Sequence, residues 1–298
     1  MLDTTVGQVR SFNRTITQRV GALNDRYLAR DRPLGEARVL WEVGVEGSDV
    51  RRLRATLDLD SGYLSRLLRS LETAKLIRVE PSDHDRRVRT VRLTAAGRRE
   101  RELLDRRSNE LARSFLEPLS EPRRERLVAA MAEVERLLTA ALVEIDVVDP
   151  ATREARLCVQ AYFAELGRRF DMGFDPALSI PAELEELRPP LGLFVVATLR
   201  DEPVGCGALK FHGDEPAELK RMWVADSVRG LGIGRRLLGE LERHAAEHGA
   251  RVIRLETNKA LTEAISLYRS AGYREVAAFN DEPYAHHWFE KRLARTRP

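Results

Sequence analysis

The stretch Val228-Arg-Gly-Leu-Gly-Ile-Gly-Arg-Arg-Leu-Leu238, VRGLGIGRRLL, sets glycine at three alternate positions directly ahead of an amphipathic helix. Bare backbone at a helix start suits a phosphate-bearing ligand, because the first turn offers unpaired N–H groups and the positive end of the helix dipole. Three phosphate loops compete for the pattern. A P-loop needs GxxxxGK followed by Ser or Thr, and no Lys in this chain precedes either residue. The dinucleotide pattern GxGxxG requires a third glycine where Ile233 or Leu237 stands. What remains is R-x-x-G-x-G, formed by Arg229, Gly232 and Gly234 between a predicted strand and a helix. In that arrangement the backbone N–H groups of Arg229, Gly230, Leu231, Gly232, Ile233, Gly234 and Arg235 turn toward the phosphates, and Arg235 or Arg236 adds charge.

Outward from the loop the pattern is mixed α/β. Leu193 to Leu199 reads as a strand, Glu202-Pro203 as a turn, Val204 to Phe211 as the hairpin partner and Ala217 to Val224 as a third strand. The loop helix runs to about His248, followed by a strand over Val252 to Glu256, a helix over Leu261 to Ala271 and a last strand over Ala285 to Lys291. The strand ELKRMWV (218–224), the loop and the downstream AISLYRSAGY (264–273) together resemble the GNAT family of acetyltransferases, over about residues 153–294. The resemblance implies an α/β fold with a mixed, mostly antiparallel sheet, acetyl-CoA as co-substrate and no metal. It also implies that the strand before the loop splays from its neighbour. Backbone groups at Met222, Trp223 and Val224 then bond the pantetheine arm, and one N–H polarises the thioester carbonyl. Glu218 stands where the family often places its base and Tyr268 where it places its acid. The bland readings are a strand-edge pair with Lys220 or Arg254 for Glu218, and core packing for Tyr268. Many members carry a pantetheine-bonding Asn seven residues before the tyrosine, where Leu261 stands here, so Asn258 is expected to take that part. Arg221 and His287 are expected in the acceptor cleft, which favours amino acids or carboxylated amines over polyamines; exposed strand positions are the other reading of His286 and His287.

At 298 residues the chain has room for two domains, each with its own core. Two cysteines, Cys158 and Cys206, with no CxxC and no Cys/His cluster, argue against a disulfide framework or a structural zinc and fit a reducing cytoplasm. The N-terminal stretch MLDTTVGQVRSFNR lacks an apolar h-region, and the apolar run Leu191 to Leu199 is too short to span a bilayer, so neither export nor membrane insertion is expected. Residues 1–150 hold 28 Lys and Arg against 25 Asp and Glu, while residues 151–298 hold 22 of each, so the net charge of +3 lies in the first half. Asp146-Val-Val-Asp-Pro150 breaks a helical pattern, which sets the expected domains at 1–147 and 153–298.

The first domain reads as mainly helical, with apolar stripes over Val9 to Tyr27, Leu103 to Phe115 and Leu127 to Leu142. Between Ser61 and Arg99 ten basic residues face four acidic ones. Asp60 or Ser61 caps a helix whose Leu64, Leu67, Leu68 and Leu71 share one face. Ser61, Tyr63, Ser65, Arg66 and Arg69 turn toward the other, as in a recognition helix lying in a major groove. The following LIRVEPSDHDRRVRTVRLTAAGR alternates apolar and basic residues about a polar turn, and Arg86 or Arg87 at its tip is placed to enter a minor groove. DRRVRTVRLTAAGR is similar to the end of the wing in MarR-family winged-helix regulators, over roughly residues 5–145. That resemblance implies a homodimer, built from the first helix and the last two, on a pseudo-palindromic operator of double-stranded DNA. The leading expectation is therefore an acetyltransferase for a small amine or amino acid fused to a DNA-binding regulator. Two others stay open: a regulator whose second domain only senses acetyl-CoA or a metabolite, and an acetyltransferase whose winged helices only dimerise.

Overall fold

The computed structural model describes residues 2–23, 27–29, 31–81, 88–213 and 215–293. Its contacts divide the chain into two compact units, 1–130 and 131–298. The first is a mainly α winged helix-turn-helix. The second is an α/β unit on a seven-stranded sheet.

In the first unit α1 (Leu2–Arg19) and α2 (Leu34–Val43) lead to a short strand, β1 (Ser48–Asp49), and to α3 (Val50–Leu57). Asp49 caps α3 by accepting from the N–H of Arg51 at 2.5 Å, and Asp58, in the left-handed region at φ 49°, ends it. Asp60 then accepts from the N–H of Tyr63 at 2.8 Å and opens α4 (Ser61–Thr73). That is a helix, a three-residue turn and a second helix, with the turn chemistry carried by Asp58 and Asp60. On α4, Leu64, Leu67, Leu68 and Leu71 are buried among Leu40, Leu53 and Val91. The wing is β2 (Ile77–Pro81) against β3 (Arg89–Leu93), antiparallel, with Ile77 opposite Leu93 and Val79 opposite Val91. Arg86 and Arg87 lie outside the described residues. Thr94 caps α5 (Ala95–Leu116), and α6 (Glu121–Ala141) follows Pro118, with Pro122 in its first turn. The first apolar stripe does not make one helix to Tyr27: α1 stops at Arg19, and Gly21 at φ 69° turns the chain.

The second unit's sheet has the order β4-β5-β6-β7-β8-β10-β9. It comprises β4 (Val143–Val148), β5 (Gly192–Leu199), β6 (Glu202–Lys210), β7 (Ala217–Val224), β8 (Val252–Thr257), β9 (Arg274–Val276) and β10 (His287–Arg292). All neighbours run antiparallel except β7 and β8. The helices are α7 (Arg153–Arg169), α8 (Ile233–Glu247) and α9 (Thr262–Ser270). The unbroken apolar run of β5 follows from cover on both faces. Leu193, Val195 and Ala197 join the cluster that holds Leu237, Leu238 and Leu241 of α8, whereas Phe194 and Val196 meet Ala155 and Cys158 of α7. At Gly207 a Cβ would lie 2.6 Å from Leu241, so α8 rests directly on the backbone of β6.

The boundary was expected at 147/153, whereas the observed division at 130/131 falls within α6, because Ala140 of that helix packs on the second unit's core and the segment that breaks the helical pattern is not a linker. It is β4, paired with β5 from Val143↔Leu199 to Val148↔Phe194. α7 and β9, absent from the sequence reading, complete the unit.

Candidate active site

The chain of β7 and β8 decides where a ligand can enter. Among the described residues these two strands pair only at Ala217↔Ile253 and Glu218↔Arg254, then diverge. A bulge in β7 sharpens the departure: Cys206 pairs with Trp223 and Ala208 with Lys220, so Arg221 and Met222 share the position opposite Gly207, with Arg221 left-handed at φ 54°. Past Glu218 the backbone of Met222 to Val224 therefore borders a notch on its β8 side.

Two cavities fill the notch. The larger, about 440 Å³, is lined by Met222, Trp223, Val224, Arg229, Gly230, Gly232, Ile233, Gly234 and Arg235. Gly230 and Gly232 adopt φ of 77° and 79°, and a Cβ at either would meet nothing within 4 Å, so the loop presents open backbone. Gly232 is the N-cap of α8 and has no side chain with which to cap it, which leaves the first N–H groups free for an anion. Leu231 lines neither cavity; its side chain packs on the core.

The smaller cavity, about 260 Å³, is lined by Arg221, Lys220, Glu256 and Asn258 together with residues of α7 and of the segments near Ile180 and Tyr284. Six residues line both: Tyr162, Leu166, Met222, Leu261, Ala264 and Tyr268. Tyr268 is only 4% exposed, and its hydroxyl makes no hydrogen bond among the described residues. Burial, helped by the charge of Glu256, pushes its pKa above the ordinary 10, so it keeps its proton at neutral pH.

Several expected residues are placed elsewhere. Glu218 lines neither cavity; it is paired with Lys220 at 3.4 Å and stands 3.7 Å from His212. Glu218 shares a face with Lys220 but stands where β7 is still paired with β8, opposite Arg254, short of the point at which the strands part. His287 likewise lines neither, because its Nδ1 meets Glu275 at 2.6 Å on β9's side of β10. Asn258 borders the smaller cavity and not the larger. Its amide is spent on local backbone, donating to the Tyr284 carbonyl at 2.7 Å and accepting from the Ala260 N–H at 2.9 Å.

The residues that sequence reasoning missed come mostly from α7. Glu165, nearly buried, accepts from Trp223 Nε1 at 2.9 Å, from Arg229 at 2.6 Å and from Arg169 at 3.1 Å. Burial alone raises its pKa, but the two guanidiniums and the indole hold it below the ordinary 4.5. Arg229 is thus committed by its side chain to Glu165 and to Asp226 at 2.5 Å, while its backbone opens the loop. Arg235 reaches Ser270 Oγ at 2.5 Å, and Arg136 donates to the Gly230 carbonyl at 2.6 Å. The missed signal was the spacing of Tyr162, Glu165 and Arg169, which share one helix face. Glu256 of β8 was also missed. It is paired with Lys220 at 2.5 Å and approached by Asn280 at 3.3 Å.

In the first unit α4 exposes Ser61, Tyr63, Ser65, Arg66 and Arg69, as its periodicity predicts. Arg66 lies 5.5 Å over the Tyr63 ring, and Ser65 donates to the Ser61 carbonyl at 2.7 Å. Neither Arg66 nor Arg69 has an ion-pair partner among the described residues, in contrast to Arg32, Arg38 and Arg78. Among the described residues no group of three or more His, Cys, Asp or Glu could hold a metal ion, and no helix is long and apolar enough to cross a membrane.

The profile of the Acetyltransferase (GNAT) family matches residues 159–273, and that of the MarR family matches residues 31–88. An uncharacterized N-acetyltransferase of Schizosaccharomyces pombe is 33% identical over 138 residues, which cover 44% of this chain and 78% of that protein. The IAA acetyltransferase of Azospirillum brasilense is 37% identical over 103 residues, 34% of this chain and 66% of that one. A solved aminoglycoside 6'-N-acetyltransferase complexed with coenzyme A is 21% identical and covers 52% of this chain and 99% of its own, with a TM-score of 0.40. The chain belongs to the GNAT family of acetyltransferases, and its first unit carries a MarR-family domain.

Proposed function

We propose that the chain transfers an acetyl group from acetyl-CoA to the amine of a small acceptor, an amino acid or related carboxylated amine. We further propose that its first unit binds double-stranded DNA as a homodimer, in the cytoplasm. The observation that carries the enzymatic reading is the meeting of two cavities at Tyr268, one bordered by the open helix start at Gly232 and the other by Arg221 and Glu256.

Acetyl-CoA, when bound, supplies the activated thioester. The N–H groups of Ile233 to Arg235 and the charge of Arg235 take the pyrophosphate. Backbone along Met222 to Val224 serves the pantetheine arm and the thioester carbonyl. Glu256 takes the ammonium proton through water. Glu218, behind Lys220, acts on it only by holding that lysine. As the N–C bond forms and the C–S bond breaks, Tyr268 hands its proton to the departing thiolate. Cys158 and Cys206 are buried and line neither cavity, which favours direct transfer without an acyl-enzyme.

For the first unit, Arg66 and Arg69 on the exposed face of α4, without an ion-pair partner among the described residues, support contact with DNA. The exposure of Val6, Val9 and Phe12 on α1, at 41–54%, and the absence of any buried residue along α6 support a dimer that covers them.

The test is thiol release from acetyl-CoA by the full chain against amino acids and amines. Tyr268→Phe is expected to lower kcat by about 10²–10⁴. Binding of acetyl-CoA in calorimetry without turnover on any acceptor would make the second unit a sensor. Selection from a genomic DNA library tests the first unit: neither an enriched site nor a steep salt dependence would reduce it to dimerisation.

A further inference from the structure

We propose that the smaller cavity selects an α-amino acid with an aromatic side chain, its carboxylate held by Arg221; this rests on the acetyl-transfer reading of the same site. Lys220 and Arg221 are consecutive on β7, and strand alternation should send them to opposite faces. The bulge brings both to one cavity. Their surroundings differ. Lys220 is neutralised twice, by Glu256 at 2.5 Å and by Glu218 at 3.4 Å. Arg221 has no carboxylate within ion-pair distance among the described residues. It donates one hydrogen bond, from Nη2 to the Ala182 carbonyl at 2.7 Å, and its guanidinium lies 5.4 Å over the Phe163 ring. A half-buried guanidinium with donors to spare is costly unless an anion meets it, and its planar fork fits a carboxylate with two parallel bonds.

The neighbouring wall is aromatic. Phe163, Phe170, Phe174 and Tyr284 form a series of ring contacts with centroids 4.9 to 5.9 Å apart, all lining this cavity. Tilted and edge-on rings of this kind accept a further ring. The carboxylates of the cavity do not make a polyamine site. The charge of Glu256 is balanced by Lys220, which leaves it able to relay a proton through water but not to attract a further cation, and Glu282 accepts from the Ser179 hydroxyl at 2.9 Å and the Ile180 N–H at 2.7 Å. Glu183 alone stands exposed at the rim. At about 260 Å³ the space is smaller than the pockets of drug-sized ligands, which span roughly 300–1,000 Å³.

The experiment measures CoA release by the full chain with L-phenylalanine and L-tryptophan. The comparisons are phenethylamine and tryptamine, which lack the carboxylate, L-alanine, which lacks the ring, and spermidine. The expected kcat/KM for the aromatic amino acids exceeds that of their decarboxylated partners on the order of 100-fold and that of L-alanine on the order of 10-fold. Arg221→Met collapses the first ratio, Arg221→Lys restores part of it, and Phe174→Ala collapses the second; each ratio is internal to one folded protein. Equal or faster turnover of the decarboxylated amines or of spermidine overturns the proposal. If no amine is acetylated although acetyl-CoA binds, the acetyl-transfer reading fails separately. Calorimetric titration with L-phenylalanine then decides: saturable binding weakened by Arg221→Met upholds the anchor, and no binding overturns it.

Discussion

Helices α4 and α8 share a design along their length and differ at the first turn. Each buries one apolar face, Leu64, Leu67, Leu68 and Leu71 in α4 and Leu237, Leu238 and Leu241 in α8. In α4 the Asp60 carboxylate consumes a free N–H of the helix start, so what the helix offers outward is its flank of hydroxyls and guanidiniums. In α8 the cap is Gly232, which has no side chain, so the helix offers its end. The same element thus offers solvent either a polar flank or a bare positive terminus, and the capping residue decides whether the terminus stays bare.

Giving α8 the cap that α4 has is the largest break of this comparison. Gly232→Asp places a carboxylate at the helix start and can keep the left-handed backbone, which Asp tolerates better than most residues. Like charge against a pyrophosphate costs several kcal/mol, so the dissociation constant for acetyl-CoA is expected to rise on the order of 100-fold or more, read by calorimetry. Unchanged affinity would mean that the helix end is not the phosphate site.

That asymmetry also explains what was legible in the sequence. The face of α4 was readable because its exposed polar residues and its buried leucines follow one period of 3.6 residues. Every hydroxyl or arginine assigned outward from Ser61 to Arg69 is exposed, and every leucine assigned inward is buried. The loop of α8 was readable because glycine at Gly230 and Gly232 answers a local backbone demand. The acceptor side obeys neither rule. Tyr162 and Phe163 come from α7, Arg221 from the bulge, Glu256 from β8 and Tyr268 from α9, and only the divergence of β7 from β8 gathers them. The family resemblance assigns Glu218 to the cleft, yet it stands where β7 still pairs with β8, whereas a reading of His287 from the sequence alone lacks its neighbour on β9. The bulge changes the setting of Arg221 instead, bringing it to the cavity that Lys220 lines, and β9 takes His287 through Glu275.

On α4 the effects are smaller and sharpen the contrast. Arg66→Ala or Arg69→Ala is expected to weaken binding to a selected DNA site by roughly 1–3 kcal/mol if the guanidinium reads a base, and to lower the salt slope by about one if it meets a phosphate. Fluorescence anisotropy across a salt series separates the two. Asp60→Ala should cost about 1 kcal/mol of stability in the first unit, with acetyl-CoA affinity unmoved. A matching loss of acetyl-CoA affinity would show that the two helix starts are not independent.

The smallest effect belongs to Glu165, the carboxylate that takes up the Arg229 side chain and leaves the bare end of α8 to the backbone. Its pKa in the folded chain lies below the ordinary 4.5, because Arg229, Arg169 and the Trp223 indole outweigh the cost of burial. A depressed carboxyl contributes stability that is fully present above its unfolded value and is lost as pH falls through its folded value. The gap in melting temperature between the native chain and Glu165→Gln should therefore be widest above pH 4.5 and close as the pH is lowered further. Thermal unfolding from pH 7 downward checks this, and a gap that stays constant would mean that the pairing contributes no net charge term. The same substitution frees Arg229 from its main carboxylate. If the guanidinium then turns to the phosphates, acetyl-CoA binding tightens at low salt and the gain disappears as salt is raised. If binding instead weakens, Glu165 was holding the loop in the shape that the helix end requires.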